Sequence, residues 1–208
     1  MSIFSGLEEI VEADCSLAEY TWFGLGGKAD YLVKPRTVDE LRKAVRRCNE
    51  NNLPIHVLGY GSNLLIKDEG VRGAVIKLDG EEFKGAQFKD AELSAGAGAN
   101  LNKLVLESVR KGLSGLEPLM GIPGSVGGAV KMNAGGNFGD IGTSVDSVTL
   151  MDKDGRVFEK SKPELVFDYR RTNIAAKFIL GAKITLTAGE PQQIMQTMQE
   201  IWIYKKNT

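Results

Sequence analysis

The sequence predicts an α+β fold, and three observations carry that prediction. Residues 30–34 and 53–58 read as strands on either side of a helix, a β-α-β unit whose strands should run parallel with a right-handed crossover. The pattern then restarts, with a strand at 92–95 running into Gly96-Ala97-Gly98 and a second helix. Finally, residues 147–152 and 156–159 flank Lys153-Asp154-Gly155, which is a hairpin signal.

Each element has a local reason. Phe4, Leu7, Ile10 and Val11 have helical spacing and predict a short N-terminal helix. Residues 21–27, TWFGLGG, form a glycine-rich turn before the first strand, which ends at Pro35. Thr37 and Glu40 are spaced as a capping box, each satisfying an amide of the other. Leu41, Ala44, Val45 and Cys48 then make one apolar helix face. Gly59-Tyr60-Gly61-Ser62-Asn63 follows the second strand at once, and residues 71–78 supply another strand stopped by Asp79-Gly80. Asn100 can cap a helix whose face is Leu101, Leu104, Val105 and Val109 and which ends at Gly112. Ser161 and Glu164 form a second capping box over one short turn, Tyr169-Arg170-Arg171-Thr172 interrupts, and residues 178–187 are the final strand. A last helix spans 191–204, with Pro191 in its first turn and a stripe of Ile194, Met195, Met198, Ile201 and Trp202.

Composition narrows the function. The 208 residues are 42% hydrophobic and 25% charged with a net charge of −1. That is ordinary for a soluble globular protein and offers no general basic surface for nucleic acid. No apolar run reaches membrane-spanning length, and residues 1–20 lack the basic start of a signal peptide, so no membrane partner and a cytoplasmic location are expected. Cys15 and Cys48 have no CxxC or Cys/His companions, which argues against a disulfide framework and a metal site. His56 stands alone in an apolar run and reads as structural.

The densest functional signal is residues 121–136, GIPGSVGGAVKMNAGG. A segment this bare is expected to contribute little core. Its glycines allow close backbone approach and leave N–H groups able to cradle an anionic or planar ligand. Pro123, Val126, Val130 and Met132 interrupt the glycines, unlike a flexible linker. The loop 59–63 lies at the carboxyl end of a strand, where α/β folds bind phosphates. It is neither a Walker A loop nor a full dinucleotide fingerprint, and by itself reads equally as a tight turn.

Taken in order, TWFGLGG, GYGSNLL, GIPGSVGGAVKMNAGG and YRRT resemble the UDP-N-acetylenolpyruvoylglucosamine reductase (MurB) family of peptidoglycan synthesis, from about Leu17 to the end of the chain. The resemblance implies a vanillyl-alcohol-oxidase-type FAD-binding fold of two α+β subdomains. These would be residues 1–79 and 80–188, with 189–208 leading towards a substrate domain. It implies that FAD is held at its pyrophosphate by Gly59, Tyr60, Gly61, Ser62, Asn63 and Leu64. Near the flavin it implies Gly121, Pro123, Gly124, Ser125, Gly128, Asn133 and Gly135. Ser62 and Ser125 would be hydrogen-bond donors to FAD rather than nucleophiles. NADPH would reduce the flavin, and the UDP-linked amino sugar UDP-N-acetylglucosamine enolpyruvate would be reduced to UDP-N-acetylmuramate. Tyr169 and Arg170 correspond to the family's Tyr-Arg pair and so to substrate contacts. Arg170 would be catalytic, its guanidinium binding the carboxylate on which enolate charge develops. Arg171 reads as a surface residue.

Two departures matter. Gly24 stands where many relatives have a basic residue. The family's later Gly-Ser-Val-Phe-Lys-Asn-Pro-like segment, with its proton-donating serine, and a late glutamate are not found here. The chain is therefore expected to be such a reductase cut off after its FAD-binding part, holding FAD without turning over alone. The alternatives are a non-catalytic FAD-binding module, whether fragment or degenerate paralogue, and another flavin oxidase of the same fold, which the motifs fit less closely. The 191–204 stripe must fold back on the second subdomain, pair with another copy or stay exposed, and weak self-association through it is expected.

Overall fold

The chain enters its first sheet earlier than the spacing of its apolar residues predicts. The computed structural model describes residues 3–207. Phe4, Leu7 and Ile10 are buried, as their spacing asks. Their backbone, however, makes single turns closed by Leu7 N–H to Phe4 O and Ile10 N–H to Leu7 O, and only Glu8–Ile10 is a 3₁₀ helix. Strand β1 (Val11–Ser16) follows and pairs antiparallel with β2 (Lys28–Val33). A helix of so few residues is not self-sustaining, whereas the ladder to β2 satisfies the same backbone groups.

Helix α1 (Val38–Glu50) connects β2 to β3 (Ile55–Leu58), and β4 (Val71–Lys77) completes a sheet of order β1-β2-β4-β3. β2 and β3 are parallel, as a β-α-β unit requires, but β4 lies between them and pairs with both. Successive residues take opposite faces. Val33, Ala74 and Ile76 join Leu41, Ala44, Val45 and Cys48 of α1, while Leu32, Leu58 and Val75 form a smaller cluster with Cys15, Leu17 and Ala29. Only half of the first capping box forms. Thr37 Oγ1 accepts the Glu40 amide at 3.2 Å, but the Glu40 carboxylate turns to Arg36, accepting its amide at 2.7 Å and its guanidinium at 2.6 Å. A cationic donor outcompetes the Thr37 amide, and it holds the Glu40 carboxyl below the usual range.

The second sheet is antiparallel. After the single-turn α2 (Glu81–Lys84) come β5 (Ala86–Lys89), β6 (Glu92–Gly96), α3 (Leu101–Arg110), α4 (Val126–Lys131), β7 (Val145–Met151), β8 (Val157–Ser161) and β9 (Phe178–Thr185). The strand order is β8-β7-β9-β6-β5, and β7 and β8 form the expected hairpin. Asn100 Oδ1 caps α3 by accepting the Lys103 amide at 3.0 Å, and Leu101, Leu104, Val105 and Val109 are buried. The Ser161/Glu164 capping box is present. Residues 121–136 are less bare than expected: α4 sits inside them, and its Val126 and Val130 are fully buried in the main core. That core runs without interruption from α1 to β7 and β9. Arg42 Nε to Gly155 O at 3.1 Å and Asn49 Nδ2 to Lys153 O at 2.7 Å also tie α1 to the β7–β8 turn.

The last helix, α5 (Pro191–Asn207), folds back. Ile194, Met198 and Ile201 are buried, and α5 packs on α3 and on the 3₁₀ turn Glu117–Leu119. Lys205 Nζ donates to Pro118 O at 2.6 Å and Met120 O at 3.1 Å. The Trp202 ring lies where a Cβ on Gly121 would be. Of the stripe that prompted an expectation of self-association, Met195 is left half-buried and Trp202 partly exposed, beside exposed Ile203 and Tyr204.

Both cysteines are buried free thiols, and burial pushes each up to about 11 from an ordinary 9.0. A raised folded-state value contributes stability that is complete below the unfolded value and lost as pH rises through the folded one. For Cys48, under α1, the loss should reach about 2 kcal/mol by about pH 11. Urea unfolding at about pH 7.5 and about pH 10.5 should therefore show a smaller alkaline loss in Cys48→Ala than in the wild type. Equal losses would put the Cys48 thiol in contact with solvent.

Candidate functional site

The loop after β3 and the glycine-rich stretch before α4 face each other. Gly61 has φ +66°, and a Cβ there would strike the Tyr20 carbonyl oxygen, so no other residue fits without moving the backbone. Trp22 N–H donates to Gly61 O at 3.1 Å, holding the loop against the TWFGLGG turn. Ser62 Oγ donates to Pro123 O at 2.8 Å and pins the two walls together. Its hydroxyl proton is thus committed to the protein, not directed at a ligand as expected. Ser125 is buried and caps α4, its Oγ accepting the Gly128 amide at 3.3 Å. A Cβ at Gly59 would lie 2.8 Å from Ser125 Oγ, so a larger residue there would have to push the capping hydroxyl aside.

Between these walls runs a cleft of three adjoining lobes. One, of about 310 Å³, lies between residues 59–64 and Pro123, Gly124, Ser125 and Gly128, with Arg170 on its edge. A second, of about 250 Å³, reaches inward past Tyr60 to Ala97, Gly98 and Ile179. The third, of about 490 Å³, follows the outer edge of β3 past His56 to Lys177. Each is of the size that encloses part of a cofactor. The ionisable side chains on these walls include Lys77, Lys131, Lys177, Arg170 and His56, and among the described residues no Asp or Glu lines any lobe. In a chain of net charge −1 this is a local concentration of positive charge, suited to an anion. The amides of Tyr60, Gly61, Ser62 and Asn63 on one wall and of Gly124 and Ser125 on the other donate to no acceptor among the described residues. His56, on the wall of the outer lobe, is exposed, with its Nε2 3.2 Å from Arg72 O.

Arg170 is carried on a short hairpin in which Phe167–Asp168 pairs with Arg171–Thr172. Tyr169 and Arg170 form its tip, Arg170 with φ +57° and its guanidinium 5.5 Å from the centre of the Tyr169 ring. Arg171 is occupied. Its Nε and Nη2 donate to Asp168 Oδ2 at 2.9 and 2.5 Å and hold that carboxyl below the usual range. Arg170 makes no ion pair among the described residues.

The cleft therefore gathers Gly59, Tyr60, Gly61, Ser62, Asn63, Leu64, Pro123, Gly124, Ser125, Gly128 and Arg170 on one surface. Four expected residues lie off it. Gly121 donates its amide to Asn102 Oδ1 at 3.0 Å and is a glycine because Trp202 covers it. Asn133 is buried, accepting the Gly142 amide at 3.1 Å and donating to Asp168 O at 3.2 Å, so its side chain is engaged at both ends by the protein and lies off the cleft wall. Gly135 packs against Asp140 across a tight two-strand turn. Tyr169 stands 83% exposed beside the cleft. Sequence reasoning missed Val57, Lys77, Lys131 and Lys177. Of these, Lys131 carried a signal, as the lone cation inside the glycine-rich stretch.

A protein-family model described as "FAD binding domain" matches residues 29–161. The UDP-N-acetylenolpyruvoylglucosamine reductase of Rhodopirellula baltica is 35% identical over 199 residues, which cover 96% of this chain and 65% of that relative. The crystal structure of MurB from Thermus caldophilus matches with a TM-score of 0.83 at 39% identity, covering 95% of this chain and 70% of that one. Phl p 4, a grass pollen allergen with glucose dehydrogenase activity, matches with a TM-score of 0.63 at 14% identity, covering 91% of this chain and 45% of that one, and shares the fold alone. The chain thus spans 65% of the length of the Rhodopirellula relative.

Proposed function

The chain belongs to the UDP-N-acetylenolpyruvoylglucosamine reductase (MurB) family and has the vanillyl-alcohol-oxidase type of FAD-binding fold, and we propose that its cleft holds FAD and serves the reduction of UDP-N-acetylglucosamine enolpyruvate by NADPH in the cytoplasm. The observation that carries this reading is the pair of facing walls. Among the described residues, the amides of Tyr60–Asn63 and Gly124–Ser125 are unpaired and meet across a cleft lined by cations and by no carboxylate. A diphosphate needs that donor set, and at Gly124 an added Cβ would meet nothing nearer than Ser62 Oγ at 3.6 Å, so the backbone there is open to close approach. Val57, Leu58, Ala97 and Ile179 supply apolar wall for a planar ring. We read residues 1–79 and 80–188 as the two halves that hold the cofactor between them, with α5 bracing the second.

Bound FAD would supply two-electron redox chemistry that no side chain of this chain offers. The chain's own contribution to the reduction is Arg170. A hydride equivalent added to the vinyl carbon leaves an electron pair on the neighbouring carbon and its carboxylate, and that carbon then takes a proton to give UDP-N-acetylmuramate. A guanidinium without another partner can hold the carboxylate through two N–H donors and stabilise the charge as it develops. Tyr169, stacked under it, is the second substrate contact in this reading. The hairpin faces solvent, where water weakens such interactions. The 208 residues by themselves are therefore expected to reduce the substrate slowly.

Titration of the apo-protein with FAD and with FMN tests the cofactor assignment. FAD should bind more tightly, with its fluorescence changed on binding, and a folded sample that takes up no FAD would overturn the assignment. An anaerobic half-reaction tests the rest: the bound flavin is reduced chemically, the enolpyruvyl substrate is added, and reoxidation is followed. Rapid reoxidation with formation of UDP-N-acetylmuramate would show that these residues suffice for chemistry.

A further inference from the structure

Lys131 has no role so far, yet it is the one charged side chain that, among the described residues, lines all three lobes of the cleft. It is the last residue of α4, and its Nζ donates to Ile174 O at 2.6 Å. Its own carbonyl accepts from Thr172 Oγ1 at 3.4 Å, and Thr172 Oγ1 in turn accepts the Ile174 amide at 3.4 Å. Thr172 and Ile174 belong to the outgoing arm of the hairpin that carries Arg170. Two residues on, Asn133 holds the incoming arm through Asp168 O. The end of α4 therefore grips both arms of the hairpin. An ammonium has three N–H donors, and Ile174 occupies one. No carboxylate pairs with Lys131 among the described residues, so its charge is available to an anion in the cleft.

We propose, on the reading that the cleft holds FAD, that Lys131 is a ligand of the cofactor's anionic part and the link through which bound cofactor restrains the Arg170 hairpin. The charge and the tether can be separated. Lys131→Gln keeps an N–H donor for the Ile174 carbonyl but removes the charge, while Lys131→Met removes both.

The test is an FAD titration of the wild type and both variants, with amide hydrogen exchange of each measured with and without saturating FAD. Wild-type protein should bind FAD and show slower exchange over residues 167–174 when loaded. Both variants should bind FAD about tenfold more weakly or worse, as expected for loss of a charged hydrogen bond. Lys131→Met should also lose the FAD-dependent protection of the hairpin, and Lys131→Arg should recover both properties. Wild-type affinity in Lys131→Gln would overturn the proposal, even if Lys131→Met fails to fold. So would unchanged hairpin protection in a loaded Lys131→Met. If folded wild-type protein binds no FAD, the cleft assignment itself falls, and that outcome is distinct from a wild type that binds and variants that bind equally.

Discussion

Arg170→Ala in a complete reductase carrying this hairpin should lower turnover by about 10²–10³-fold, the loss seen when one preorganised transition-state donor is removed. Flavin retention and NADPH oxidation with a surrogate acceptor should be unchanged. The two adjacent arginines differ in what already holds them. Arg171 is held by Asp168 through two donors at 2.9 and 2.5 Å, whereas Arg170 lines the cleft, makes no ion pair among the described residues and rests on the Tyr169 ring. A guanidinium already engaged by a carboxylate has less to offer a second one. Arg171→Ala should therefore loosen the hairpin and cost about tenfold or less. Steady-state kinetics of the two variants decide the matter: a wild-type rate for Arg170→Ala removes it from the mechanism, and a reversed order assigns the role to Arg171.

Gly61→Ala should lower the melting temperature by roughly 10 °C and remove FAD binding. The added Cβ strikes the Tyr20 carbonyl oxygen and lies 2.8 Å from Thr21 Cα, and the backbone there has φ +66°. Both obstacles are backbone, which cannot rotate aside as a side chain would. Strain of this kind costs about 3 kcal/mol, or roughly 10 °C for a chain of this size. Any relief must move the loop whose amides form one wall of the cleft, so cofactor binding fails along with stability. Gly136→Ala is the control. That glycine also belongs to a glycine-rich motif, but nothing lies within 4 Å of an added Cβ and its φ is not positive. It should change stability by less than about 0.5 kcal/mol. Thermal unfolding and FAD titration of the pair read the difference, and similar behaviour would mean that the Gly61 loop moves freely.

Local pattern carried much of the fold. The apolar face Leu41, Ala44, Val45 and Cys48, the Asn100 cap, the β7–β8 hairpin and the stripe of α5 all depend on residues within a turn or two of one another. The ordered glycine motifs likewise placed residues 59–64 and most of 123–128 on what proves to be one cleft. Spacing was less informative where the deciding partner is distant. It assigned Phe4, Leu7 and Ile10 to the interior but not Val11–Ser16 to a strand, because the reason is the pairing with β2. Nor does it reveal that β4 inserts between β2 and β3, or that Arg36 takes the Glu40 carboxylate from Thr37.

The same division holds for individual site residues. A glycine in a sequence is silent about whether a ligand or the protein occupies the space it leaves. At Gly61 the occupant is the Tyr20 carbonyl, at Gly121 it is Trp202 from 81 positions later, and at Gly135 it is Asp140. Asn133 and Lys131 stand two residues apart in one motif, yet Asn133 has its side chain bound between Gly142 and the Asp168 carbonyl while Lys131 reaches the cleft. Chemistry-bearing residue types and their order are properties of the chain. Which of their donors remain unpaired, and what they face, depends on contacts across 43 to 87 residues that exist only once β3, α4, the 167–172 hairpin and α5 have packed together.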